Sequence, residues 1–207
     1  GLDQFHRLGA GGADEDALAR LDAAGRLVGR DDHVAVFCRP FRSPLKSHHT
    51  DFLNTAEKFV FNLNDIPVQG YQWGTGPRKI LFLHGWQSHT FRWKNYIESF
   101  PQDEYTLYSL DAPGHGLSGG DALTVPLYGE LIEKFLIEKD GVEAVVSHSL
   151  GAFSTLYAFH RFPLLPVNKI VLMASPGEAN EFVRLFRQSL KLSHRTIKAV
   201  LAHFEDV

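Results

Sequence analysis

Short apolar runs alternate with amphipathic segments along most of this chain. The runs of strand length lie at residues 58–63, 68–73, 79–83, 105–110, 142–146 and 169–174. Between them, apolar side chains recur at helical spacing over residues 92–100, 124–136 and 152–162. Strands that alternate with helices predict an α/β fold, a mainly parallel sheet with helices on both faces.

Turn and capping residues punctuate these segments. Asn64 and Asp65 separate the first two runs and predict an antiparallel hairpin at the start of the sheet. Thr124 is a predicted N-cap for the helix that follows it, and Gly141 is a predicted C-terminal cap. Pro101 and Pro163 mark the ends of the other two predicted helices.

Composition narrows the class of protein. The chain has 207 residues, which suits one domain with a sizeable core. Its net charge of −3 gives no electrostatic reason to expect nucleic acid or an anionic membrane as a partner. We also expect no membrane span, because no apolar run approaches about 18–20 residues. Cys38 is the only cysteine, which excludes an intrachain disulfide and is compatible with a cytoplasmic location.

A change in composition predicts the domain boundaries. Residues 1–42 contain no lysine and are rich in glycine, alanine, aspartate and arginine, whereas lysine and phenylalanine are common from Lys46 onward. We expect residues 1–44 to be a leader or accessory segment, with a helix at 14–27 and a strand at 34–38. A small functional extension is the alternative. Residues 45–176 would form the α/β core, and residues 177–207 contain two amphipathic helical segments.

The sequence Ser-His-Ser-Leu-Gly at residues 147–151 is the strongest candidate for chemistry. It follows a predicted strand and precedes a predicted helix, so Ser149 lies at the apex of a tight turn. Such a turn lifts the hydroxyl above the sheet, and the following helix N-terminus favours negative charge nearby. An ordinary structural turn is the alternative interpretation.

Two further motifs follow predicted strands. Residues 84–86 read His-Gly-Trp, and residues 111–118 read Asp-Ala-Pro-Gly-His-Gly-Leu-Ser. With the serine motif, and in this order, they resemble the α/β-hydrolase fold superfamily over residues 58–176. The site of an open α/β sheet lies at the carboxyl ends of its strands, where all three motifs are placed.

The resemblance implies roles for individual residues. Ser149 would be the nucleophile, and the backbone N–H groups of Trp86 and Leu150 would stabilise the oxyanion. Four other residues would shape the site: His84, Gly85, Asp111 and His148. No metal or organic cofactor is implied. The tandem His48 and His49 have no companion pattern of metal ligands.

The family also uses an acid and a histidine that follow later strands, and the sequence to Val207 offers neither. We therefore expect a truncated piece of a longer hydrolase. A short natural protein that a second chain completes, or one that has lost catalysis, is the alternative. Helices at this point of the family usually cover the site, so the resemblance implies that residues 177–207 are the start of a helical cap. An incomplete sheet or cap would leave apolar surface uncovered, so we expect self-association.

These observations predict a serine hydrolase that cleaves small-molecule carboxylic esters with small to medium apolar acyl groups. Thioester hydrolysis, cleavage of carbon–carbon bonds and acyl transfer stay open as alternatives within the same fold. A hydrolase-like scaffold that binds a ligand without catalysis is the alternative of a different class.

Overall fold

The computed structural model of the chain describes residues 38–177 and Glu181. The helix predicted at 14–27 and the helical segments predicted after residue 181 lie outside these residues. So does all but the last residue of the strand predicted at 34–38. In the described part of the chain, no helix is both long and apolar enough to cross a membrane.

Within residues 38–177, six strands form one mixed sheet. They are β1 (Glu57–Leu63), β2 (Ile66–Trp73), β3 (Arg78–Leu83), β4 (Tyr105–Leu110), β5 (Val142–His148) and β6 (Val167–Met173). Their spatial order is β1-β2-β4-β3-β5-β6. The pairs β1/β2 and β2/β4 are antiparallel, and the other neighbouring pairs are parallel. The predicted mainly parallel sheet is therefore confirmed.

Helices cover both faces of this sheet. They are α1 (Ser47–Leu53), a 3₁₀ turn (Thr90–Trp93), α2 (Lys94–Ile97), α3 (Val125–Glu138) and α4 (Leu150–Arg161). The buried face of α3 shares one apolar core with the inner side chains of β1, β3 and β5. The apolar residues of α1 and α2 pack with β2 and β3 on the opposite face. The prediction of helices on both faces is confirmed.

Local signals in the sequence account for several of these boundaries. Asn64 and Asp65 have φ values of 47° and 30°, the left-handed backbone of a two-residue hairpin turn. The Thr124 hydroxyl accepts a hydrogen bond from the Leu127 N–H at 3.2 Å and so caps α3. The Gly141 N–H donates to the Leu136 carbonyl and closes the other end.

Two elements differ from the prediction. The helix expected at 92–100 is a 3₁₀ turn followed by a single α-helical turn that ends at Ile97. Phe100 reaches the core after the helix ends, where its ring packs against that of Tyr105 at 4.9 Å. Helix α1 was not predicted. Only its Phe52 and Leu53 are buried, which is too few apolar positions to reveal a helical period.

The register of the central strands positions the loops that matter for function. Leu83, the last residue of β3, lies opposite Leu110 of β4 and Ser147 of β5. The chain segments that follow these three parallel strands therefore leave the same edge of the sheet side by side. They carry the three motifs identified in the sequence.

Candidate active site

Ser149 occupies a sharp bend between β5 and α4. Its backbone has φ 51° and ψ −117°, a conformation that costs a non-glycine residue about 1–3 kcal/mol. The Ser149 N–H donates to the Met173 carbonyl at 2.9 Å, and the Ser149 carbonyl accepts from the Phe153 N–H at 2.9 Å. The side chain is half-buried at the edge of the sheet. The bend therefore presents the hydroxyl outside the apolar core.

Two glycines allow the backbone to approach this bend closely. A Cβ atom at Gly151 would lie 2.5 Å from the His84 carbonyl oxygen, so any side chain there would require α4 and the end of β3 to shift apart. A Cβ atom at Gly85 would lie 3.0 Å from the Ser149 Cβ. Gly85 is thus in contact range of the serine. Its predicted role in letting the loop approach a substrate stays a prediction.

His84 fixes the peptide that joins Gly85 to Trp86. Its Nε2 accepts a hydrogen bond from the Ala112 N–H at 2.9 Å, so the ring proton lies on Nδ1 and is donated to the Gly85 carbonyl at 2.7 Å. Complete burial lowers the pKa of His84 to about 4, which keeps the ring neutral. A trans peptide is planar, so a fixed Gly85 carbonyl directs the Trp86 N–H to the opposite side.

Asp111 is fully buried and organises the neighbouring loops. Its Oδ1 accepts from the Thr90 N–H at 2.8 Å, and its Oδ2 accepts from the Leu117 N–H at 3.0 Å and the Tyr71 hydroxyl at 3.3 Å. With all these donors around it, the carboxylate joins the start of the 3₁₀ turn, strand β2 and the loop after β4. These contacts order three segments near Ser149, and the shaping role of Asp111 stays a prediction.

His115 links the loop after β4 to the loop after β3. Its Nε2 accepts from the Gln87 N–H at 3.0 Å, and its Nδ1 donates to the Pro113 carbonyl at 2.9 Å. Burial and the nearby His84 lower the pKa of His115 to about 3. Its ring also packs edge-on against Trp86, with centroids 5.3 Å apart. His115 is therefore a neutral structural bridge next to the predicted oxyanion loop.

The structure brings Ser149, Gly85 and His148 together. A Cβ atom at Gly85 would lie 3.1 Å from His148 Nδ1. This nitrogen is buried and has no hydrogen-bond partner among the described residues. Burial and the charge of Arg92 lower the pKa of His148. Leu150 follows Ser149 directly and begins α4, and Trp86 follows Gly85, whose backbone approaches the serine. The roles of both residues as oxyanion donors stay a prediction.

Three side chains support the site through contacts that were not predicted from the sequence. The Tyr128 hydroxyl donates to the His84 carbonyl at 3.0 Å, and Tyr71 binds Asp111 as described above. Ser118 donates to the Asp111 carbonyl and accepts from the Gln69 N–H at 2.8 Å. The tyrosines resemble ordinary core aromatics in the sequence. Ser118 is the last residue of the motif at residues 111–118, and this position was the one sign in the sequence that it could support the site.

No metal centre is evident in residues 38–177, where no three histidine, cysteine or carboxylate side chains are placed to bind one ion. The rings of His48 and His49 lie 4.3 Å apart, and His49 packs against Phe91 at 4.1 Å. This pair belongs to an aromatic cluster between α1 and the 3₁₀ turn.

Comparison with known proteins decides the family. A family model described as the alpha/beta hydrolase family matches residues 80–205, more than half of the chain. The chain belongs to the alpha/beta hydrolase family. The predicted resemblance is confirmed, and with it the assignment of the fold.

Several curated hydrolases and one acyltransferase are similar to this family member. A protein of Mycoplasma genitalium named as esterase/lipase 3 is 31% identical over 60% of this chain and 45% of its own length. The pimeloyl-[acyl-carrier protein] methyl ester esterase of Nitrosomonas europaea is 42% identical over 49% of this chain and 38% of its own length. The acetyltransferase component of the acetoin cleaving system of Cupriavidus necator is 29% identical over 58% and 32%. The chain thus spans less than half of the length of these relatives.

Solved structures show the same fold at low identity. A CIB-like hydrolase from Thermoplasma acidophilum superposes with a TM-score of 0.52 at 17% identity, over 62% of this chain and 69% of that one. The epoxide hydrolase VrEH1 from Vigna radiata gives a TM-score of 0.52 at 20% identity, over 61% and 40%.

Proposed function

We propose that this alpha/beta hydrolase cleaves carboxylic esters through an acyl-enzyme on Ser149. The observation that carries the proposal is the strained backbone of Ser149 at the β5–α4 junction. Strain of this kind persists only where the surroundings impose it, and it clusters at active sites. In this family a serine on a strand-to-helix turn is the nucleophile elbow. The esterase names of two relatives support ester substrates.

In the proposed reaction, the Ser149 Oγ attacks the ester carbonyl carbon as a base removes its proton. The tetrahedral oxyanion is stabilised by the N–H groups of Trp86 and Leu150. The carbon–oxygen bond to the alcohol then breaks, and the alcohol leaves with the proton. Water attacks the acyl-serine in the same way, which releases the carboxylic acid and restores the hydroxyl.

His84 supports this mechanism through the peptide that it holds. Its Nδ1–H binds the Gly85 carbonyl, and the same peptide carries the Trp86 N–H. A preorganised donor pays no reorganisation cost when the oxyanion forms, which is the source of its catalytic effect. Removing one such donor in other serine hydrolases costs about 100- to 1,000-fold in turnover.

The base that activates Ser149 is neither His84 nor His115. Both ring nitrogens of each histidine are already occupied by backbone groups. Their pKa values of about 4 and about 3 also make them poor proton acceptors near neutral pH. Their contacts are those of groups that order loops.

Active-site labelling tests the proposal. The chain is incubated with a fluorophosphonate probe, and the same is done with Ser149→Ala and with Ser99→Ala. Ser99 is a matched control because its hydroxyl is exposed and, within residues 38–177, binds the Tyr96 carbonyl of its own turn and no other group. We expect labelling of the wild type and of Ser99→Ala and none of Ser149→Ala, with all three folded by circular dichroism. A folded wild type that takes no label favours a non-catalytic scaffold or the truncated chain expected from the sequence. Label that persists in Ser149→Ala excludes Ser149 as the nucleophile.

Acyl transfer is a second candidate, because one of the similar proteins is an acetyltransferase component. Both reactions share the acyl-serine and differ in the acceptor. Adding a series of alcohols to an ester assay separates them. Hydrolysis predicts the free acid as the main product, whereas transfer predicts a new ester whose share grows with the alcohol concentration. We propose small to medium apolar acyl groups for either reaction.

A further inference from the structure

A short segment before α1 binds both loops of the candidate site. The Arg42 guanidinium donates to the carbonyls of Gly116 at 3.1 Å, Ser118 at 2.7 Å and Gly120 at 2.8 Å. All three carbonyls belong to the loop after β4. Arginine suits this task because its planar fork presents five donors.

The next residue binds the other loop. The Ser43 hydroxyl donates to the Gln87 carbonyl at 2.8 Å. On its other side, the Gln87 N–H donates to His115 Nε2 at 3.0 Å. Both the N–H and the carbonyl of Gln87 are therefore restrained by hydrogen bonds.

Gln87 needs this restraint because its backbone is strained. Its φ of 52° is unusual for a residue with a side chain and is disfavoured unless the surroundings impose it. Without the bonds to Ser43 and His115, the residue would relax toward negative φ. Such a rotation would turn the preceding peptides, and Trp86 is the residue immediately before Gln87.

These hydrogen bonds link the two loops to one another and to the segment before α1. Arg42 holds the loop that carries His115, His115 holds the Gln87 N–H, and Ser43 holds the Gln87 carbonyl. Since Arg42 and Ser43 are adjacent, a shift of either loop strains the bonds to the other. The two loops are therefore held in one relative position by two consecutive side chains.

We propose that Arg42 and Ser43 are positioning residues for the oxyanion loop. They hold Gln87 in its left-handed backbone and so keep the Trp86 N–H directed at the reacting carbonyl. The role of Trp86 as a donor rests on the proposed function, whereas the restraint on Gln87 does not. Arg42 is solvent-exposed, so its truncation removes hydrogen bonds without opening a cavity in the core.

The test combines ester kinetics with hydrogen–deuterium exchange on the full chain. The variants are Ser43→Ala, Ser43→Thr, Arg42→Ala and Arg42→Lys. Two controls lie away from the site: Ser99→Ala, and Arg78→Ala, which removes an ion pair with Glu143 between the starts of β3 and β5. The substrate is a short-chain p-nitrophenyl ester, and exchange is followed in peptides that cover residues 85–88 and 114–120.

We expect Ser43→Ala to lower kcat about tenfold with little change in KM, because the oxyanion donor acts mainly in the transition state. Exchange should quicken at residues 85–88 but not at 114–120. Ser43→Thr keeps the hydroxyl and should restore both readouts. Arg42→Ala should quicken exchange in both peptides, Arg42→Lys should recover part of the loss, and the controls should match the wild type.

Several outcomes would overturn the proposal. Unchanged exchange at residues 85–88 in both alanine variants would show that Gln87 does not depend on this segment. A rise in KM at constant kcat, or equal losses in Ser43→Thr and Ser43→Ala, would contradict the positioning role. A wild type without turnover or labelling would defeat the proposed function instead, and exchange alone would then decide whether Arg42 and Ser43 restrain Gln87.

Discussion

The strained bend at Ser149 predicts that glycine is more stabilising than alanine at this position, the reverse of the usual order in a helix. At an ordinary helix position, glycine is about 0.5–1 kcal/mol less stable than alanine, because the unfolded chain gains freedom and the helix gains nothing. At Ser149, with φ 51° and ψ −117°, glycine also removes backbone strain. We therefore expect Ser149→Gly to be more stable than Ser149→Ala.

The size of the inversion follows from two opposing contributions. Strain of this type costs about 1–3 kcal/mol, and glycine relieves most of it. The greater conformational freedom of glycine in the unfolded chain lowers the free energy of unfolding by about 0.4–1 kcal/mol. The balance favours Ser149→Gly over Ser149→Ala by about 1 kcal/mol. For a protein of this size, that difference raises the melting temperature by about 2–4 °C.

Urea unfolding of the two variants measures this balance, with the same pair made at Glu133 in the middle of α3 as the control. At Glu133, alanine should be the more stable substitution. If glycine is also the less stable choice at Ser149, the bend is not strained, and the main structural argument for the nucleophile fails. Both Ser149 variants should lose labelling, so stability and reactivity are read separately.

Three further predictions concern packing, pH and association. Gly151→Ala should lower the melting temperature by several degrees, because its Cβ would lie 2.5 Å from the His84 carbonyl, and an unchanged value would show that α4 can move away from β3. Stability should fall below about pH 6.5, because the pKa of His84 is lowered to about 4 in the folded state, so the unfolded state takes up protons first. This loss amounts to about 2 kcal/mol at pH 5, and urea unfolding of His84→Gln should show a shallower pH dependence. We also propose that the chain self-associates through strand β6. The outer edge of β6 has no partner strand within residues 38–177, and its Val171 is 46% exposed. A charged side chain there should disfavour strand pairing, so Val171→Lys should shift the chain toward monomer in light scattering.

The sequence predicted those parts of the fold that local chemistry determines. Asn64 and Asp65 tolerate left-handed backbone, so the hairpin was visible from two residues. The Ser149 bend was visible for a similar reason, since a strand, a small-residue turn and a helix follow one another within about twenty residues. Helix α1 was missed because only two of its side chains are buried, which shows no apolar period in the sequence. One of them, Phe52, packs against Phe91 of the 3₁₀ turn, a contact that the sequence does not reveal.

The supporting contacts could not be predicted, because they join residues that are far apart in the chain. Arg42 lies 74 to 78 positions from the carbonyls that it binds. Tyr128 lies 44 positions from the His84 carbonyl. No local pattern distinguishes such a tyrosine from an ordinary core residue. The composition change near residue 44 suggested a separate leader, and the contacts of Arg42 and Ser43 bring the end of that predicted segment onto the site.

Trapping the acyl-enzyme tests the central claim most directly. The chain is mixed with a short-chain p-nitrophenyl ester, quenched in acid within seconds, digested and examined by mass spectrometry. The account predicts an acyl group on the peptide that contains Ser149, which disappears on longer incubation and is absent from Ser149→Ala. An acyl group on another residue, or ester cleavage that continues undiminished in Ser149→Ala, would contradict it.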